Sequence, residues 1–341
     1  MTTKQNQRRT ANKALAKRDT SPPPDPDPEL TALLAKQREL LHPGIPEQAL
    51  LNTITNALST TFTSPDFATH LRTIKSLFYD RKYVEIFTNA DLLPVYAAEY
   101  IPGRALCYRD LFMKRKELRD AISRDGAHVY CLGSGNGSEL MGIAGALVGM
   151  HELPKNVTEL DVNHVTKSNS TEESKPPHIT IHCQDLSSYG PVLPSLLTSI
   201  TTILPIPPSL ITLESSTHDL LTHSTPLQTT QLQSATLITA LFLFNELLTT
   251  SKSQFIRFIS EMIQTTKPGT LLLVVDSAGS FSEVTIGSEK RTYMVYHLLD
   301  AIGALECLVK EDSIWYRFPE ALKYPLKINN MRYFLRLYRK R

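Results

Sequence analysis

The stretch that decides the fold is His128–Gly137, which reads HVYCLGSGNG. A short apolar run ends there in three closely spaced glycines, and a segment with helical character, Ser138–Met150, follows without a gap. Six of the chain's 14 glycines fall between Gly133 and Gly149. A strand, a glycine turn and a helix in this order let the backbone approach a ligand closely and direct free helix N–H groups towards it. The stretch therefore predicts a ligand site at the end of a strand.

From Ala127 onwards, strand-like and helical segments alternate, which is typical of a parallel sheet with covering helices. Two final runs predict an antiparallel pair at the sheet edge, so the fold class is α/β with a seven-stranded, mostly parallel sheet. The predicted strands are Ala127–Leu132, Val157–Val162, His178–Cys183, Ala235–Phe244, Thr270–Asp276, Ala304–Lys310 and Arg332–Tyr338. The predicted helices between them are Ser138–Met150, Ser251–Thr266 and Arg291–Ile302.

The chain divides into three predicted regions. Residues 1–28 are basic and then proline-rich, which predicts a disordered arm. Residues 29–124 predict an N-terminal helical extension with Pro94 and Pro102 as helix breaks; its helices are Glu29–Leu41, Phe67–Phe87 and Tyr108–Ser123. The α/β domain covers residues 125–341. Inside it, the polar residues 163–177 predict a flexible loop. The Ser-, Thr- and Pro-rich residues 187–233 predict a flexible insertion, for which partial order through its leucines and a role as a lid are two interpretations.

Composition narrows the class of protein. No apolar run reaches the roughly 18 residues that a membrane span needs, so we expect no membrane association. The four cysteines form no C-x-x-C pair, which favours reduced thiols in an intracellular protein and argues against a metal site.

Basic residues are segregated although the net charge is only +2. Clusters of this kind favour a polyanionic partner such as a nucleic acid. The first precedes Asp19, the second lies within residues 104–119, and the third closes the chain; they comprise Lys4, Arg8, Arg9, Lys13, Lys17 and Arg18, then Arg104, Arg109, Lys114, Arg115, Lys116 and Arg119, then Arg332, Arg336, Arg339, Lys340 and Arg341.

The spacing of the glycines indicates which ligand the turn binds. Dinucleotide-binding proteins use G-x-G-x-x-G, whereas this chain has G-x-G-x-G. The tighter pattern resembles motif I of class I S-adenosylmethionine-dependent methyltransferases, a Rossmann-like fold in which the turn passes beneath the methionyl part of the cofactor. That resemblance implies cofactor binding by Gly133, Ser134, Gly135, Asn136 and Gly137. Cys131 stands where the motif often has an acidic residue. Further glycines on the following helix predict its close packing over the sheet.

Acidic residues at the predicted strand ends extend this site. Asp161 ends the second predicted strand, about 20 residues after the glycines, where a carboxylate can accept hydrogen bonds from ribose hydroxyls. Asp185 follows the third predicted strand, where class I methyltransferases place a residue that contacts the adenine amino group. We predict that both bind the cofactor.

Asn245 and Glu246 are the candidate catalytic residues. They directly follow the fourth predicted strand, and ligands of open parallel sheets bind at the carboxyl ends of the strands. A polar pair at the end of a buried strand is costly unless it is hydrogen-bonded or used. The alternative is a helix N-terminus with an acidic first turn. Asp276, at the end of the fifth predicted strand, is expected at the same rim.

Taken together, the chain resembles the fungal 25S ribosomal RNA (uridine-N3)-methyltransferases over roughly residues 70–341. The most specific pieces are Leu132–Glu139, Phe244–Leu247 and the C-terminal run from Trp315 to Phe334. The resemblance implies methylation of a uridine in large-subunit ribosomal RNA, on a pre-ribosomal large subunit, in the nucleus or nucleolus with a further pool in the cytoplasm.

The resemblance directs attention to residues that could hold RNA. A uridine methylated at N3 must leave its base pair, because N3 lies on the pairing edge. We predict phosphate contacts by Arg109, Arg317 and Arg332, and base stacking on Tyr108, Trp315, Tyr316 or Phe334.

Two other functions stay open at the level of the sequence. The same fold can methylate a protein or a small molecule, and it can persist in a non-catalytic RNA-binding ribosome assembly factor. A dinucleotide-dependent oxidoreductase fits the glycine spacing least well.

Overall fold

A computed structural model describes residues 46–80, 82–152, 178–279, 282–286 and 289–341. The first part of the described chain is helical, as the sequence predicts. Its helices are α1 (Pro46–Ala57), α2 (Ser59–Phe62), α3 (Phe67–Tyr79), α4 (Tyr83–Phe87), α5 (Leu93–Lys114) and α6 (Lys116–Ser123). The arm 1–28 and the predicted helix Glu29–Leu41 lie outside the described residues.

The second part alternates strands and helices. In order, its elements are β1 (Ala127–Leu132), α7 (Ser138–Glu152), β2 (Ile179–Asp185), α8 (Val192–Ile203), β3 (Ile211–Thr217), α9 (Pro226–Ser234), β4 (Leu237–Leu241), α10 (Phe244–Thr250), α11 (Lys252–Thr265), β5 (Leu271–Ser277), β6 (Ser282–Ile286), β7 (Glu289–Tyr293), α12 (Val295–Asp300), β8 (Leu305–Tyr316) and β9 (Met331–Lys340).

Within the described residues the main sheet has seven strands in the order β3-β2-β1-β4-β5-β9-β8. Strands β1 to β5 pair in parallel, and β9 runs antiparallel to both β5 and β8. The predicted α/β class and the antiparallel pair at the edge are therefore confirmed. Strands β6 and β7 form a separate two-stranded sheet. The strand β7 takes up the first residues of the predicted helix Arg291–Ile302, which begins only at Val295.

The prediction of a flexible insertion over residues 187–233 is wrong. This stretch holds α8, the sheet strand β3 and most of α9. The high serine and threonine content predicted a loop, but threonine is also a favourable strand residue. The buried leucines of α8 give that helix an apolar face against the core, as Leu193 and Leu196 show.

The predicted strand Val157–Val162 and the loop 163–177 lie outside the described residues. In the described sheet, β2 lies along one edge of β1 and β4 lies along the other. This sheet order changes the interpretation of Asp185, as described below.

Pro102 does not break α5, contrary to the prediction. A proline inside a helix leaves the carbonyl four residues earlier without its N–H donor. Here that carbonyl belongs to Ala98, and it accepts a hydrogen bond of 2.8 Å from the Tyr324 hydroxyl. A side chain from the distant C-terminal region thus compensates the lost backbone bond and lets α5 continue to Lys114.

The glycines of α7 face α5 and not the sheet, which corrects the predicted packing. A Cβ atom at Gly142 would lie 2.5 Å from Cβ of Tyr108, and one at Gly149 would lie 2.7 Å from Sδ of Met113. Since these distances are too short for real carbon contacts, the two helices can approach this closely only with glycine here. The pair α5–α7 thereby holds the N-terminal helical region against the α/β domain.

None of the described helices is long and apolar enough to cross a membrane. The described part of the chain also contains no group of three or more His, Cys, Asp or Glu side chains placed to hold a metal ion.

Candidate active site

The glycine turn connects β1 to α7 and has no room for side chains at its three glycine positions. Gly133 and Gly137 have φ values of 65° and 82°, which favour glycine. A Cβ atom at Gly135 would lie 2.5 Å from the Tyr189 ring and 2.6 Å from Cβ of Asp185. The turn is therefore a tight cradle, as the sequence predicts, with Tyr189 and the end of β2 packed beside it.

Asp185 is tied directly to this turn. It ends β2, the neighbour of β1, and its Oδ2 accepts a hydrogen bond of 2.8 Å from the Gly135 amide. Burial raises the pKa of the Asp185 carboxyl, while the backbone N–H donors of Gly135 and Ser187 oppose the rise. By the sheet order, Asp185 occupies the strand end that we had assigned to Asp161. Asp161 itself lies outside the described residues.

The chain turns sharply where β4 ends. Phe242 has a φ of 58°, in the left-handed region that a bulky residue seldom adopts. Such strain costs about 1–3 kcal/mol and is concentrated at functional sites. It directs the chain into α10, where the backbone N–H of Asn245 donates to Asp276 Oδ2 over 2.9 Å. Asn245 and Asp276 thus lie at one rim, as predicted.

Asn245 and Glu246 lie in the first turn of α10, and neither has the contacts of a purely structural residue. The side-chain oxygen Oδ1 of Asn245 is buried without a hydrogen-bond partner among the described residues. Burial raises the pKa of Glu246 to about 7, nearby Asp185 adds to the rise, and Arg104 opposes it. A carboxyl that titrates near neutral pH can accept a proton from a substrate.

Glu139 is a site residue that our sequence analysis did not select. It lies in the first turn of α7, its side chain is 2 % exposed, and its Oε2 accepts a hydrogen bond of 2.5 Å from the Ser134 hydroxyl. The second oxygen, Oε1, has no partner among the described residues. Burial raises the pKa of Glu139 to about 7. Since Cys131 replaces the usual acidic residue before the turn, Glu139 supplies a carboxylate to the same cradle.

The second basic cluster is not a free phosphate-binding surface. Arg109 is buried and pairs with Glu47 over 2.5 Å, so the prediction that it contacts phosphate is wrong. Most other members have partners within the protein; the pairs are Lys114–Asp110, Arg115–Glu311 and Lys116–Asp120, and Arg119 donates to the Met113 carbonyl. Arg104 differs from these, because it donates to the Tyr96 hydroxyl and forms no ion pair within the described part of the chain.

The third cluster is divided between the core and the surface. Arg336 is fully buried and pairs with Asp312 and Asp300, so it is structural. Arg317 and Arg332 are exposed, as their predicted role requires. The Arg332 guanidinium lies 6.0 Å from the centre of the Trp315 ring, and Trp315 is 57 % exposed.

Trp315 is the only one of the four predicted stacking residues with an exposed side chain. The other three, Tyr108, Tyr316 and Phe334, are core residues. Trp315 and Arg332 are register partners across β8 and β9, and the next residue of β9, Tyr333, pairs with the last residue of β5. Trp315 and Arg332 therefore lie at the same end of the sheet as Asp276.

The arrangement suits S-adenosylmethionine. The glycine cradle lets the ligand approach the backbone, and the buried oxygens of Glu139 and Asn245 that lack partners can face its cationic ammonium and sulfonium groups. The order of the strands, the glycine turn after β1 and the acidic rim after β2, β4 and β5 define a class I S-adenosylmethionine-dependent methyltransferase.

Comparison with known proteins agrees with this class. Residues 54–339 match the family described as "Putative SAM-dependent methyltransferase", and the chain belongs to this family. The chain is also 30% identical over 290 residues to the 25S rRNA (uridine(2843)-N(3))-methyltransferase of Saccharomyces cerevisiae, an alignment that covers 79% of this chain and 76% of the yeast protein.

Solved structures with a similar arrangement include an O-methyltransferase family protein from Burkholderia thailandensis, at 11% identity, with 81% of this chain and 71% of that chain covered and a TM-score of 0.41. Another is the N-methyltransferase NodS from Bradyrhizobium japonicum in complex with S-adenosyl-L-homocysteine, at 13% identity, with 73% of this chain and 96% of that chain covered and a TM-score of 0.34.

Proposed function

We propose that this protein methylates N3 of a uridine in large-subunit ribosomal RNA. The substrate class is supported by the yeast relative, whose name gives that activity. The observation that carries the proposal in this chain is the carboxyl of Glu246, with a pKa of about 7, at the rim beside the glycine cradle. Removing the weakly acidic N3 proton of uracil requires such a base.

In the proposed site, Gly133 to Gly137 and Glu139 hold the cofactor, and Asp185 accepts hydrogen bonds from its ribose. Bound S-adenosylmethionine supplies a methyl group that its positive sulfur has already activated. The protein's remaining tasks are to orient the acceptor and to take its proton. Glu246 accepts the N3 proton, and the electron pair of that N–H bond stays on the base. The amide of Asn245 offers one donor and one acceptor to the pairing edge of uracil.

The exposed pair of Trp315 and Arg332 supports RNA as the substrate. A flat, exposed indole can stack on a base, and the neighbouring guanidinium can contact a phosphate. Arg317, one residue beyond the end of β8, adds a second exposed cation beside them. We propose that this surface holds RNA near the target uridine, and that the protein acts on the large subunit during its assembly in the nucleus or nucleolus. Imaging of a fluorescent fusion tests the location.

The variant Glu246→Gln tests the base. We expect methyl transfer to transcribed ribosomal RNA to fall by about 10²–10⁴-fold, which is the usual contribution of a general base. The affinity for S-adenosylmethionine, measured by calorimetry, should stay within about twofold, because the substitution preserves shape. Mass spectrometry of the RNA nucleosides identifies the product as 3-methyluridine.

The dependence of the rate on pH gives a second test of the same residue. Glu246 must be ionised to accept a proton, so the wild-type rate should rise with pH and level off above about 7. The Glu246→Gln rate should lack this rise. Glu306→Gln is a matched control, since Glu306 is a half-exposed residue of β8 paired with Arg339, and it should behave like the wild type. Full activity of Glu246→Gln would remove Glu246 as the base.

A further inference from the structure

Arg104 is held at the candidate active site by aromatic side chains. One guanidinium nitrogen donates a hydrogen bond of 2.9 Å to the Tyr96 hydroxyl. The guanidinium carbon lies 5.7 Å from the centre of the Tyr96 ring, 5.5 Å from that of Tyr100 and 5.9 Å from that of Phe242. Phe242 is the strained residue at the end of β4. Arg104 is therefore fixed beside the turn that carries Asn245 and Glu246.

The charge of Arg104 has no ion-pair partner within 4.0 Å among the described residues, although four carboxyls of the site are close enough for its charge to act on them. The hydrogen bond to Tyr96 occupies only one of the N–H donors of Arg104, because a guanidinium carries several such donors in a planar fork. Burial raises the pKa of each nearby carboxyl, and Arg104 opposes that rise at Glu139, Asp185, Glu246 and Asp276. A partly exposed, oriented cation in an acidic site is suited to an anion that forms there.

The proposed reaction forms such an anion. When the N3–H bond breaks, its proton passes to the Glu246 carboxylate and its electron pair spreads over N3 and the two carbonyl oxygens of uracil. A negative base beside several carboxylates is unfavourable because like charges repel. An oriented donor aimed at the developing charge offsets this cost.

We propose, on the basis of the function proposed above, that Arg104 donates a hydrogen bond to a carbonyl oxygen of the target uracil and stabilises the negative charge of the base as Glu246 removes its N3 proton. The position of Arg104 over Phe242, at the end of β4, favours this role over one at the glycine cradle. At the glycine cradle, Arg104 would instead pair with the carboxylate of the cofactor.

The test uses 5-fluorouridine, because fluorine at C5 makes the N3 proton more acidic and the resulting anion less dependent on stabilisation. Ribosomal RNA is transcribed with uridine or with 5-fluorouridine, and single-turnover methyl transfer is measured with the full-length wild-type and variant proteins. We expect Arg104→Met to slow transfer about 100-fold on uridine RNA and only about 10-fold on 5-fluorouridine RNA, in line with the loss of one oxyanion donor.

Two further variants make the test specific. Arg104→Lys keeps the charge and loses the planar fork, so we expect an intermediate loss and the same dependence on N3 acidity. If Arg104→Met does not fold, Arg104→Lys is used to compare methyl transfer on the two RNAs. Lys267→Met removes an exposed cation just before β5, at the end of the sheet opposite Asp276, and should leave both rates unchanged.

Equal losses on the two RNAs would overturn the inference, because a merely structural role slows both alike. A loss of S-adenosylmethionine affinity of the same size as the loss of rate would assign Arg104 to the cofactor's carboxylate and would also overturn it. If the wild-type protein methylates N3 of the pyrimidine in neither RNA, the proposed function fails, and the inference fails with it.

Discussion

Replacing Glu139 by glutamine should make this protein more stable at alkaline pH and a poorer binder of its cofactor. Glu139 is buried at the start of α7, and its Oε1 has no hydrogen-bond partner among the described residues. Glutamine has nearly the same shape and can still accept the Ser134 hydrogen bond through its carbonyl oxygen. The substitution therefore removes the charge with little change of packing.

The size of the effect follows from the pKa. Burial raises the pKa of Glu139 from 4.5 to about 7, which corresponds to about 3 kcal/mol of unfavourable free energy for the ionised form in the folded protein. Between pH 4.5 and about 7 the folded protein keeps this proton and the unfolded chain releases it. The unfolding free energy of the wild type therefore falls as pH rises through this window. The penalty is complete above it and absent below pH 4.5.

Urea denaturation at several pH values measures this directly. We expect the unfolding free energy of Glu139→Gln to exceed that of the wild type by about 3 kcal/mol at pH 8, and the two to converge near pH 4.5. Glu306→Gln, on a half-exposed residue, should stay within about 0.5 kcal/mol of the wild type throughout. Equal stabilities at pH 8, or the same gain at both pH values, would refute the reasoning. A cofactor affinity equal to that of the wild type would show that Glu139 does not face the cofactor.

Three further substitutions separate binding from folding. Gly135→Ala should abolish cofactor binding, because its Cβ would lie 2.5 Å from the Tyr189 ring; calorimetry measures the affinity. Trp315→Ala should weaken RNA binding by about 1–3 kcal/mol, measured by fluorescence anisotropy, with little change of stability at this exposed site. Arg109→Met should leave Glu47 without its partner and destabilise the protein by about 3 kcal/mol in urea denaturation, without a specific loss of RNA affinity.

Other residues of the chain provide control variants for these substitutions. A Cβ atom at Gly303 would meet no atom within 4 Å, so Gly303→Ala should leave cofactor binding unchanged. If Gly135→Ala bound the cofactor normally, the cradle would not be the binding site. Trp315 would not be an RNA-binding residue if Trp315→Ala kept the RNA affinity of the wild type. Arg109 would be one if Arg109→Met folded and bound RNA more weakly.

The sequence predicted the frame of the site because its signals are local. A glycine turn directly after an apolar strand identifies β1 and α7, and a polar pair after another strand locates the rim at Asn245 and Glu246. The interpretation of Asp161 and Asp185 depended instead on which strand lies beside β1. Two candidate strands followed the turn, and strand order is a non-local property that neither propensity nor pattern determines.

The phosphate contact predicted for Arg109 failed for a geometric reason. Arg104 and Arg109 are five residues apart on a helix and point about 140° from each other, so their side chains have different surroundings. The sequence shows that both are basic, but which side of α5 faces α7 depends on the tertiary packing. Arg109 lies among the α7 glycines, and Arg104 lies over Phe242.

The position of β9 between β5 and β8 has a consequence for biosynthesis. The last strand of the described chain, Met331–Lys340, is an inner strand that joins two neighbours made earlier. A nascent chain that stops before residue 331 leaves β5 with an open edge and β8 with no partner in the described sheet. Open edges of this kind are templates for aggregation. A stop codon introduced just before residue 331 should therefore be as damaging as one much further upstream.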